Sequence, residues 1–414
     1  MIEIKDKKDC CGCNACVQVC PKQCISMHED GEGFLYPKVN TDLCINCHLC
    51  EKVCPVITQD TPKEPIKVYA TKNPDETIRL ESSSGGIFTL LAEKVIDNNG
   101  IVFGAKFNEH WEVIHDYTIT KEGITNFRGS KYVQSRIGNT FKDTENFLKE
   151  GRLVLFSGTP CQIAGLKKFL RKEYDNLITV DFICHGVPSP GVFRWYLCEE
   201  LSKIAHKGDK KFSFALRPIY SIPKADAIAK ECGFEINGIR FRNKNKGWKK
   251  FSFALDLSEV TTEGKKNTIS LSYTLDKNAY LKGFLSDLYL RPSCHQCPTK
   301  QLKSGSDITI GDFWGISNLL PEYDDDRGIS AVLVNTNKGN ELIAKLNIDL
   351  LKFDFETLSE LNPALNHSSK NTEKRFKFFN DNNCSFFHLT NRLCKRTLLT
   401  RFKSRIKRAL KIQQ

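Results

Sequence analysis

The sequence predicts an α+β module at the N-terminus, followed by an α/β domain that contains an antiparallel β insertion. Three observations support this prediction. The first 57 residues are dense in cysteine and contain a predicted hairpin formed by 25–27 and 34–36. Beyond them, apolar runs that are typical of buried strands alternate with helical patterns. From about 211 to 275, apolar and polar residues alternate singly, which indicates antiparallel strands.

The elements of the α/β domain follow from these patterns. The helix at 86–96 is preceded by the serines 82–84, which are favoured N-caps, and it ends near Gly100. No element is predicted at 355–390, where the sequence shows no clear period. Strands are predicted at 68–70, 101–105, 153–156, 177–180, 212–216, 234–236, 251–257 and 331–334, and further helices at 163–170, 192–204 and up to 342–343.

The chain divides at a polar segment that contains Pro62 and Pro65, which is typical of a linker. We therefore expect that the first 60 residues can be removed without unfolding the rest. The predicted units are the module at 1–57, the linker at 58–65, the α/β domain at 66–330, a closing extension at 331–390 and a basic amphipathic tail at 391–414.

The chain has 414 residues, 18 cysteines and a formal net charge of +12. Its N-terminus is charged and lacks an apolar signal segment, and no apolar run approaches the roughly 20 residues that span a bilayer. We therefore expect a cytoplasmic protein whose cysteines bind metal, because disulfides are rare in a reducing compartment.

The basic charge is concentrated in the tail, since 388–414 holds nine Lys or Arg residues and no acidic one. Subtracting these nine from +12 leaves +3 for the rest of the chain, so no nucleic-acid partner is expected. Leu399, Phe402, Ile406 and Leu410 recur at helical spacing. Two interpretations remain open: a helix that binds an acidic partner or the anionic inner membrane surface, and a helix that docks on the body.

Two cysteine runs share the spacing C-x2-C-x2-C-x3-C-P. They consist of Cys10, Cys13, Cys16 and Cys20 before Pro21, and of Cys44, Cys47, Cys50 and Cys54 before Pro55. When two such motifs occur, three close cysteines hold one [4Fe–4S] cluster and the fourth belongs to the other cluster. We therefore assign Cys10, Cys13, Cys16 and Cys54 to a first cluster, and Cys44, Cys47, Cys50 and Cys20 to a second. Zinc sites favour separated C-x2-C pairs and are the weaker alternative.

Four further cysteines stand in suggestive positions. Cys161 follows a predicted strand and opens a predicted helix, Cys184 ends the next strand, and Cys294 and Cys297 form a C-x2-C pair. Strand ends at one edge of a parallel sheet are where α/β proteins assemble sites. Three interpretations remain open: a nucleophilic Cys161, a redox dithiol or half zinc site at Cys294 and Cys297, and a third cluster held by all four.

The other six cysteines have no partner spacing and are expected to be small buried residues or incidental thiols. They are Cys11, Cys24, Cys198, Cys232, Cys384 and Cys394.

Several short segments occur together and in a specific order. They are Ser84-Gly85-Gly86, Gly-Ser-Lys-Tyr-Val at 129–133, Gly-Thr-Pro-Cys-Gln at 158–162, Cys184-His185-Gly186, and Cys294-x2-Cys297 followed by the Asp-Ile-Thr-Ile-Gly-Asp-Phe-Trp-Gly run at 307–315. In this combination the chain resembles, from about 66 to 320, the beta subunit family of coenzyme F-420-reducing hydrogenase and dehydrogenase.

The resemblance implies FAD next to a third [4Fe–4S] cluster whose ligands are Cys161, Cys184, Cys294 and Cys297. The implied FAD site consists of Ser84, Gly85, Gly86, Gly129, Ser130, Lys131 and Tyr132. A serine–glycine turn at a helix start offers amide donors to a pyrophosphate, and Lys131 would neutralise a phosphate or the reduced flavin. The same turn also suits an ordinary helix N-terminus. The expected fold is thus an α+β ferredoxin-like dicluster domain followed by an α/β flavin- and iron–sulfur-binding domain with an antiparallel β insertion.

These patterns predict a flavin and iron–sulfur oxidoreductase. It would accept electrons from ferredoxin or another one-electron carrier and pass them through the third cluster to FAD. The substrate would be a small molecule or a glycan precursor, because longer members of this family accompany polysaccharide biosynthesis. His185, next to Cys184, is a candidate proton donor. The alternative is a non-enzymatic electron-transfer subunit of a larger redox complex.

Overall fold

The computed structural model describes residues 1–205, 219–260, 266–381 and 384–395. Its N-terminal module contains an antiparallel hairpin of β1 (Ile25–Glu29) and β2 (Leu35–Val39). Two short helices, α1 (Ala15–Val19) and α2 (Leu49–Lys52), follow the same pattern, since each is preceded by a residue in the left-handed conformation. The predicted ferredoxin-like α+β module is thereby confirmed.

The body contains a second set of strands. In chain order they are β3 (Lys67–Thr71), β4 (Ile101–Phe107), β5 (Val113–Thr118), β6 (Val154–Ser157), β7 (Leu177–Phe182), β8 (Phe234–Asn243), β9 (Ser252–Val260), β10 (Lys266–Thr274), β11 (Ile308–Asp312), β12 (Ser330–Val334) and β13 (Leu351–Phe353). The described residues form one eight-stranded mixed sheet in the order β13-β3-β12-β11-β7-β6-β4-β5, and a separate three-stranded antiparallel sheet in the order β10-β9-β8.

The body helices surround these sheets. They are α3 (Glu76–Glu81), α4 (Ile87–Ile96), α5 (Lys121–Ile124), α6 (Thr140–Lys149), α7 (Pro160–Leu170), α8 (Pro190–Ala205), α9 (Ala225–Glu231), α10 (Ala279–Leu285), α11 (Ile316–Leu319), α12 (Asn337–Ala344), α13 (Phe355–Leu361), α14 (Glu373–Asn380) and α15 (Phe386–Cys394). Within the described part of the chain, no helix is both long and apolar enough to cross a membrane.

The centre of the large sheet positions the candidate site. The strands β4, β6, β7 and β11 are parallel to one another, so their carboxyl ends lie at the same edge of the sheet. Cys161 follows β6 and Cys184 follows β7 at this edge. The strands are continuous apolar runs because both faces are covered: Phe103 and Phe156 pack on one side, and Leu155 and Val332 belong to a core on the other.

The observed elements confirm a mixed α/β sheet and extend the prediction. The strand β10 and the helices α13 to α15 were not predicted, and the last three occupy the region where the sequence shows no clear period. The strand predicted at 212–216 lies outside the described residues, as does nearly all of the tail. The tail therefore remains a prediction.

The module packs against the body through hydrogen bonds, ion pairs and apolar contacts, which argue against the expectation that it is separable. The buried Gln18 accepts hydrogen bonds from the N–H groups of Phe141 and Lys142 at 3.0 and 3.2 Å, and so caps α6 from outside. A Cβ added at Gly33 would lie 2.6 Å from the Gly191 Cα, so glycine is required for the backbones to approach this closely. Removal of the module would expose these contacts.

Apolar packing joins the same two parts of the chain. Cys11, Cys13, Ala15 and Val53 of the module belong to one buried cluster with body side chains that include Phe141. The charged groups Glu29 and Glu32 of the module pair with Arg194 and Arg375 of the body. The linker at 58–65 therefore connects two parts that share a core.

Candidate functional site

The cysteines of the module form two groups. Cys20, Cys44, Cys47 and Cys50 line one cavity of about 350 Å³, a volume that includes space open to solvent. Burial, followed by the charges of Cys10, Cys54 and Cys50, raises the pKa of the Cys16 thiol, so Cys16 lies near thiols of both motifs. Cys20 shares the cavity of Cys44, Cys47 and Cys50, as its predicted place in their cluster requires. The assignment of Cys54 to Cys10, Cys13 and Cys16 stays a prediction, and these four are called the first thiol group below.

The third group lies at the edge of the body sheet. Cys161, Cys184, Cys294 and Cys297 line one cavity of about 630 Å³, a volume that again includes space open to solvent. Three separate segments of the chain supply these thiols. The sequence-based expectation that the strand ends bring these residues together is therefore met in the geometry.

Local structure fixes each of these segments. Thr159 and Gln162 form a capping box and Pro160 occupies the first turn, so that α7 begins at the cavity and Cys161 lies at its N-terminus. The Val187 N–H donates to the Cys294 Sγ at 3.4 Å, and the Cys297 N–H donates to the Ser368 hydroxyl at 2.9 Å.

The protonation of these thiols bears on the alternatives for Cys161. The neighbouring Cys11 thiol, followed by burial, raises the pKa of Cys161 well above its ordinary value. Burial raises the pKa of Cys294 to about 12 and raises that of Cys184 well above its ordinary value. A solitary nucleophile needs a lowered pKa. These thiols instead fit a site in which a bound cation replaces the protons.

The thiol spacing also bears on the size of the bound group. Among the described residues, no three Cys, His, Asp or Glu side chains converge closely enough to hold a single metal ion. The cysteines instead surround cavities. Four thiols around one cavity suit a multi-atom cluster with thiolate ligands.

Two cysteines that were expected to have no role lie at these sites. Cys11 lines the cavity of the third thiol group, called the third cavity below, and its thiol interacts with that of Cys161. Cys24 lines the cavity of Cys20, Cys44, Cys47 and Cys50, with its Sγ 3.4 Å from the Cys20 Sγ. The spacing rules gave no signal for either residue, because neither belongs to a repeated motif and Cys11 contacts a thiol that is distant in sequence.

One helix face connects the first and third thiol groups. Cys161 and Gly165 are four residues apart and therefore lie on the same face of α7. A Cβ at Gly165 would lie 2.8 Å from the Cys13 Cβ and 2.9 Å from its Sγ. Cys13 of the first thiol group therefore contacts α7, the helix whose N-terminus lines the third cavity.

The turn of Ser84, Gly85 and Gly86 is bound to the sheet. The Ser84 hydroxyl donates to the carbonyls of Gly311 and Ile329 at 3.1 and 2.8 Å. The Gly85 N–H donates to the Ser330 hydroxyl at 3.0 Å, and Gly86 is the left-handed N-cap of α4. The Ser84 hydroxyl and the Gly85 N–H thus donate within the protein, and contact between this turn and a pyrophosphate stays a prediction.

We predict that Gly85→Ala destabilises the protein by about 1–3 kcal/mol, because the added methyl overpacks a filled site. Its Cβ would lie 2.6 Å from the Ser330 nitrogen and 2.7 Å from the Thr71 oxygen, both backbone atoms. Denaturant unfolding measures the effect. Gly31→Ala is the matched control, since no atom lies within 4 Å of its added Cβ. Equal stability of the two variants would contradict this account of the turn.

The second predicted flavin segment contacts the first. The Ser130 N–H donates to the Ser83 hydroxyl at 2.6 Å, which brings the loop of Gly129, Ser130, Lys131 and Tyr132 beside the serine turn. The Lys131 Nζ donates to the carbonyls of Asn126 and Arg128 at 2.8 and 3.0 Å, and burial lowers its pKa to about 7. Lys131 is therefore folded onto its own loop instead of being a free surface cation.

Aromatic contacts run from this loop toward the third cavity. The Tyr132 ring lies 4.7 Å from the Phe284 ring, and Phe284 packs edge-on against His185 at 5.3 Å, measured between centroids. The His185 Nε2 lies 2.7 Å from the Asp287 carboxylate. Tyr132 and Cys184 are thus linked through two intervening side chains.

Arg242 was not singled out by the sequence analysis, yet its position is unusual. It is 8% exposed, pairs with the Asp312 carboxylate and lies over the Phe251 ring at 4.6 Å. Its charge also opposes the rise in the pKa of Tyr132 that burial causes. Among the described residues, the Arg242 Nε and Nη2 have no partner in hydrogen-bond geometry. Unsatisfied buried donors of this kind fit an anionic ligand.

Two family models match the chain. Residues 9–57 match the 4Fe-4S dicluster domain, and residues 151–354 match the C terminus of the beta subunit of coenzyme F420 hydrogenase/dehydrogenase. Among solved structures, a chain of the F420-reducing [NiFe] hydrogenase complex from Methanosarcina barkeri is similar, with 17% identity and a TM-score of 0.42. That similarity covers 74% of this chain and 91% of the other.

Curated relatives divide in the same way. Ferredoxin 7Fe of Hydrogenibacillus schlegelii is 45% identical over 64 residues, which is 15% of this chain and 76% of the ferredoxin. An uncharacterized protein of Methanocaldococcus jannaschii is 23% identical over 206 residues. That match covers 42% of this chain and 56% of the relative's length. The chain therefore carries a 4Fe-4S dicluster domain of the ferredoxin type, and through residues 151–354 it belongs to the coenzyme F420 hydrogenase/dehydrogenase beta subunit family.

Proposed function

We propose that the chain is an oxidoreductase that holds a third [4Fe–4S] cluster and FAD in its body, behind the dicluster domain. The arrangement of Cys161, Cys184, Cys294 and Cys297 around one cavity carries this proposal. When bound, the clusters supply one-electron transfer and FAD supplies the change between one- and two-electron chemistry. The substrate is a small molecule, and a glycan precursor is the class that the sequence resemblance implies.

The second thiol group is the proposed contact for an electron carrier such as ferredoxin. Cys47 is exposed, and the neighbouring Leu43 and Ile45 are 56% and 57% exposed. Exposed apolar side chains at a redox site suit a transient protein partner. Electrons would then pass from the surface to the body through the second, the first and the third thiol group in turn.

Charged residues of the body suit thiolates at the third site. The Lys300 Nζ donates to the Cys184 carbonyl at 2.6 Å, and its charge opposes the rise in the pKa of Cys184 that burial causes. Arg291 has the same effect on the pKa values of Cys161 and Cys294. These cations would stabilise four thiolates that bind iron in a buried cavity.

For FAD, we propose that Tyr132 packs against the ring system and that Arg242 donates to an anionic group. Arg242→Gln is expected to weaken FAD binding about tenfold or more, since a hydrogen bond to a charged group contributes about 1.5–3 kcal/mol. Titration of the flavin-depleted protein with FAD measures this affinity. Arg240→Gln is the control, because Arg240 lies on the same strand and pairs with Asp256.

The same preparation tests the proposed function. Anaerobic protein should release FAD on denaturation and should be reduced by ferredoxin, as followed by visible absorption. Reoxidation by a small molecule supports the enzyme, whereas reoxidation by a partner protein alone would identify an electron-transfer subunit. Protein that binds no flavin after exposure to FAD would overturn the flavin assignment, as would equal FAD affinity in the Arg242 variant and the wild type.

A further inference from the structure

Arg291 lies where the N-terminal module meets the third cavity. It is 1% exposed, and its N–H donates to the Val187 carbonyl at 3.0 Å. Cys294 follows three residues later, and the Cys294 N–H donates to the Arg291 carbonyl at 2.9 Å. The backbone of Arg291 is therefore held by the segments that supply the third thiol group.

The guanidinium group of Arg291 points to the first thiol group. Its Nε donates to the Cys10 carbonyl at 2.7 Å, and its Nη2 lies 3.4 Å from the Cys10 Sγ. The same Nη2 donates to the Leu35 carbonyl at 2.9 Å, and the guanidinium lies 4.3 Å from the centre of the Tyr36 ring. These contacts fix both the position and the orientation of the cation.

The charge of Arg291 has an unusual environment. Among the described residues, no carboxylate forms an ion pair with Arg291, and its other donor, Nη1, contacts the amide oxygen of Gln134 at 3.0 Å. A buried cation is costly unless an opposite charge lies close to it. The Cys10 thiol, as a thiolate, is the anionic partner that these contacts provide.

We propose that Arg291 sets the reduction potential of the cluster held by Cys10, Cys13, Cys16 and Cys54. Reduction adds negative charge beside a buried guanidinium, and hydrogen bonds and charge near cluster sulfurs determine cluster potentials. The cation therefore stabilises the reduced state and raises the potential of the first site. This inference concerns the dicluster domain and does not depend on the third cluster or on FAD.

The test is a redox titration of the full-length, anaerobically prepared protein, monitored by electron paramagnetic resonance. Arg291→Gln is expected to shift the first-site midpoint to lower potential and to leave the midpoint of the second site, held by Cys20, Cys44, Cys47 and Cys50, unchanged. The Cys16→Ala variant identifies the first-site transition, because that signal should be lost. Arg375→Gln is the matched control, since the buried Arg375 also joins the body to the module but pairs with Glu32.

An unchanged or higher first-site midpoint in Arg291→Gln would overturn the proposal. An equal shift in Arg375→Gln would also overturn it, because the effect would then come from disturbed packing. If Arg291→Gln does not fold, Arg291→Met provides the same test, since methionine keeps an unbranched side chain in the buried site but removes the charge. A lowered first-site midpoint in Arg291→Met supports the proposal, and an unchanged one contradicts it.

Discussion

A chain that starts at residue 58 is expected to lose its cooperative fold. Its α6 would begin with the Phe141 and Lys142 N–H groups that Gln18 now satisfies. The cluster that Phe141 shares with Cys11, Cys13 and Val53 would open to solvent. Cooperative unfolding and monodispersity in size-exclusion chromatography measure this effect. We expect aggregated protein or a broad, non-cooperative transition.

The single substitution Gln18→Ala is a graded form of the same test. It removes one buried acceptor and is expected to destabilise the protein by about 1–3 kcal/mol while leaving it folded. Gln23→Ala serves as a control, because Gln23 is an exposed residue of the same module. A shortened chain that unfolds cooperatively as a stable monomer would show that the module is separable after all.

Cys161→Ala is expected to remove one complete cluster from the body. The wild type with three clusters should contain about 12 iron atoms and 12 acid-labile sulfides per chain, and the variant about eight of each. Cys11 contacts Cys161 and could replace it as a ligand, so the double variant Cys11→Ala with Cys161→Ala is the cleaner test. Anaerobic iron and sulfide quantification measures the loss.

The control for this loss is Cys232→Ala. Cys232 is buried in the body core and lines neither thiol cavity. The Cys232→Ala variant should keep the full iron content of the wild type. An unchanged iron content in the double variant would contradict the assignment of Cys161 to a third cluster.

The dicluster domain was predictable because its chemistry is local. Cysteines two and three residues apart must supply ligands from one tight loop, and the hairpin between the motifs has a simple alternating pattern. The strands β6 and β7 were also predictable, since both are short, continuous apolar runs. In these cases the residues that determine the structure are close in sequence.

The helices at the C-terminal end were not predictable for the opposite reason. The helix α15 belongs to the body through contacts such as that between the rings of Phe386 and Tyr196, 5.6 Å apart and distant in sequence. Its aromatic residues pack into a core that only the folded chain assembles. The short helices α13 and α14 likewise show too few turns to establish a clear period.

The candidate site also combines residues that a sequence pattern reveals with residues that only the fold brings together. The third set of cysteines was found through a family resemblance, and spacing alone left three interpretations open. Arg291 and Cys10 are 281 positions apart, so no local pattern connects them. The linker predicted a separable module, and the contacts between module and body argue against that prediction, because a polar connection gives no information about the surfaces on either side of it.

Anomalous diffraction at the iron absorption edge from crystals of the anaerobically prepared protein tests the central claim most directly. The account predicts three iron centres per chain: two in the dicluster domain and one surrounded by Cys161, Cys184, Cys294 and Cys297. Two centres in the dicluster domain, with no iron in the body cavity of protein saturated with iron and sulfide, would contradict it.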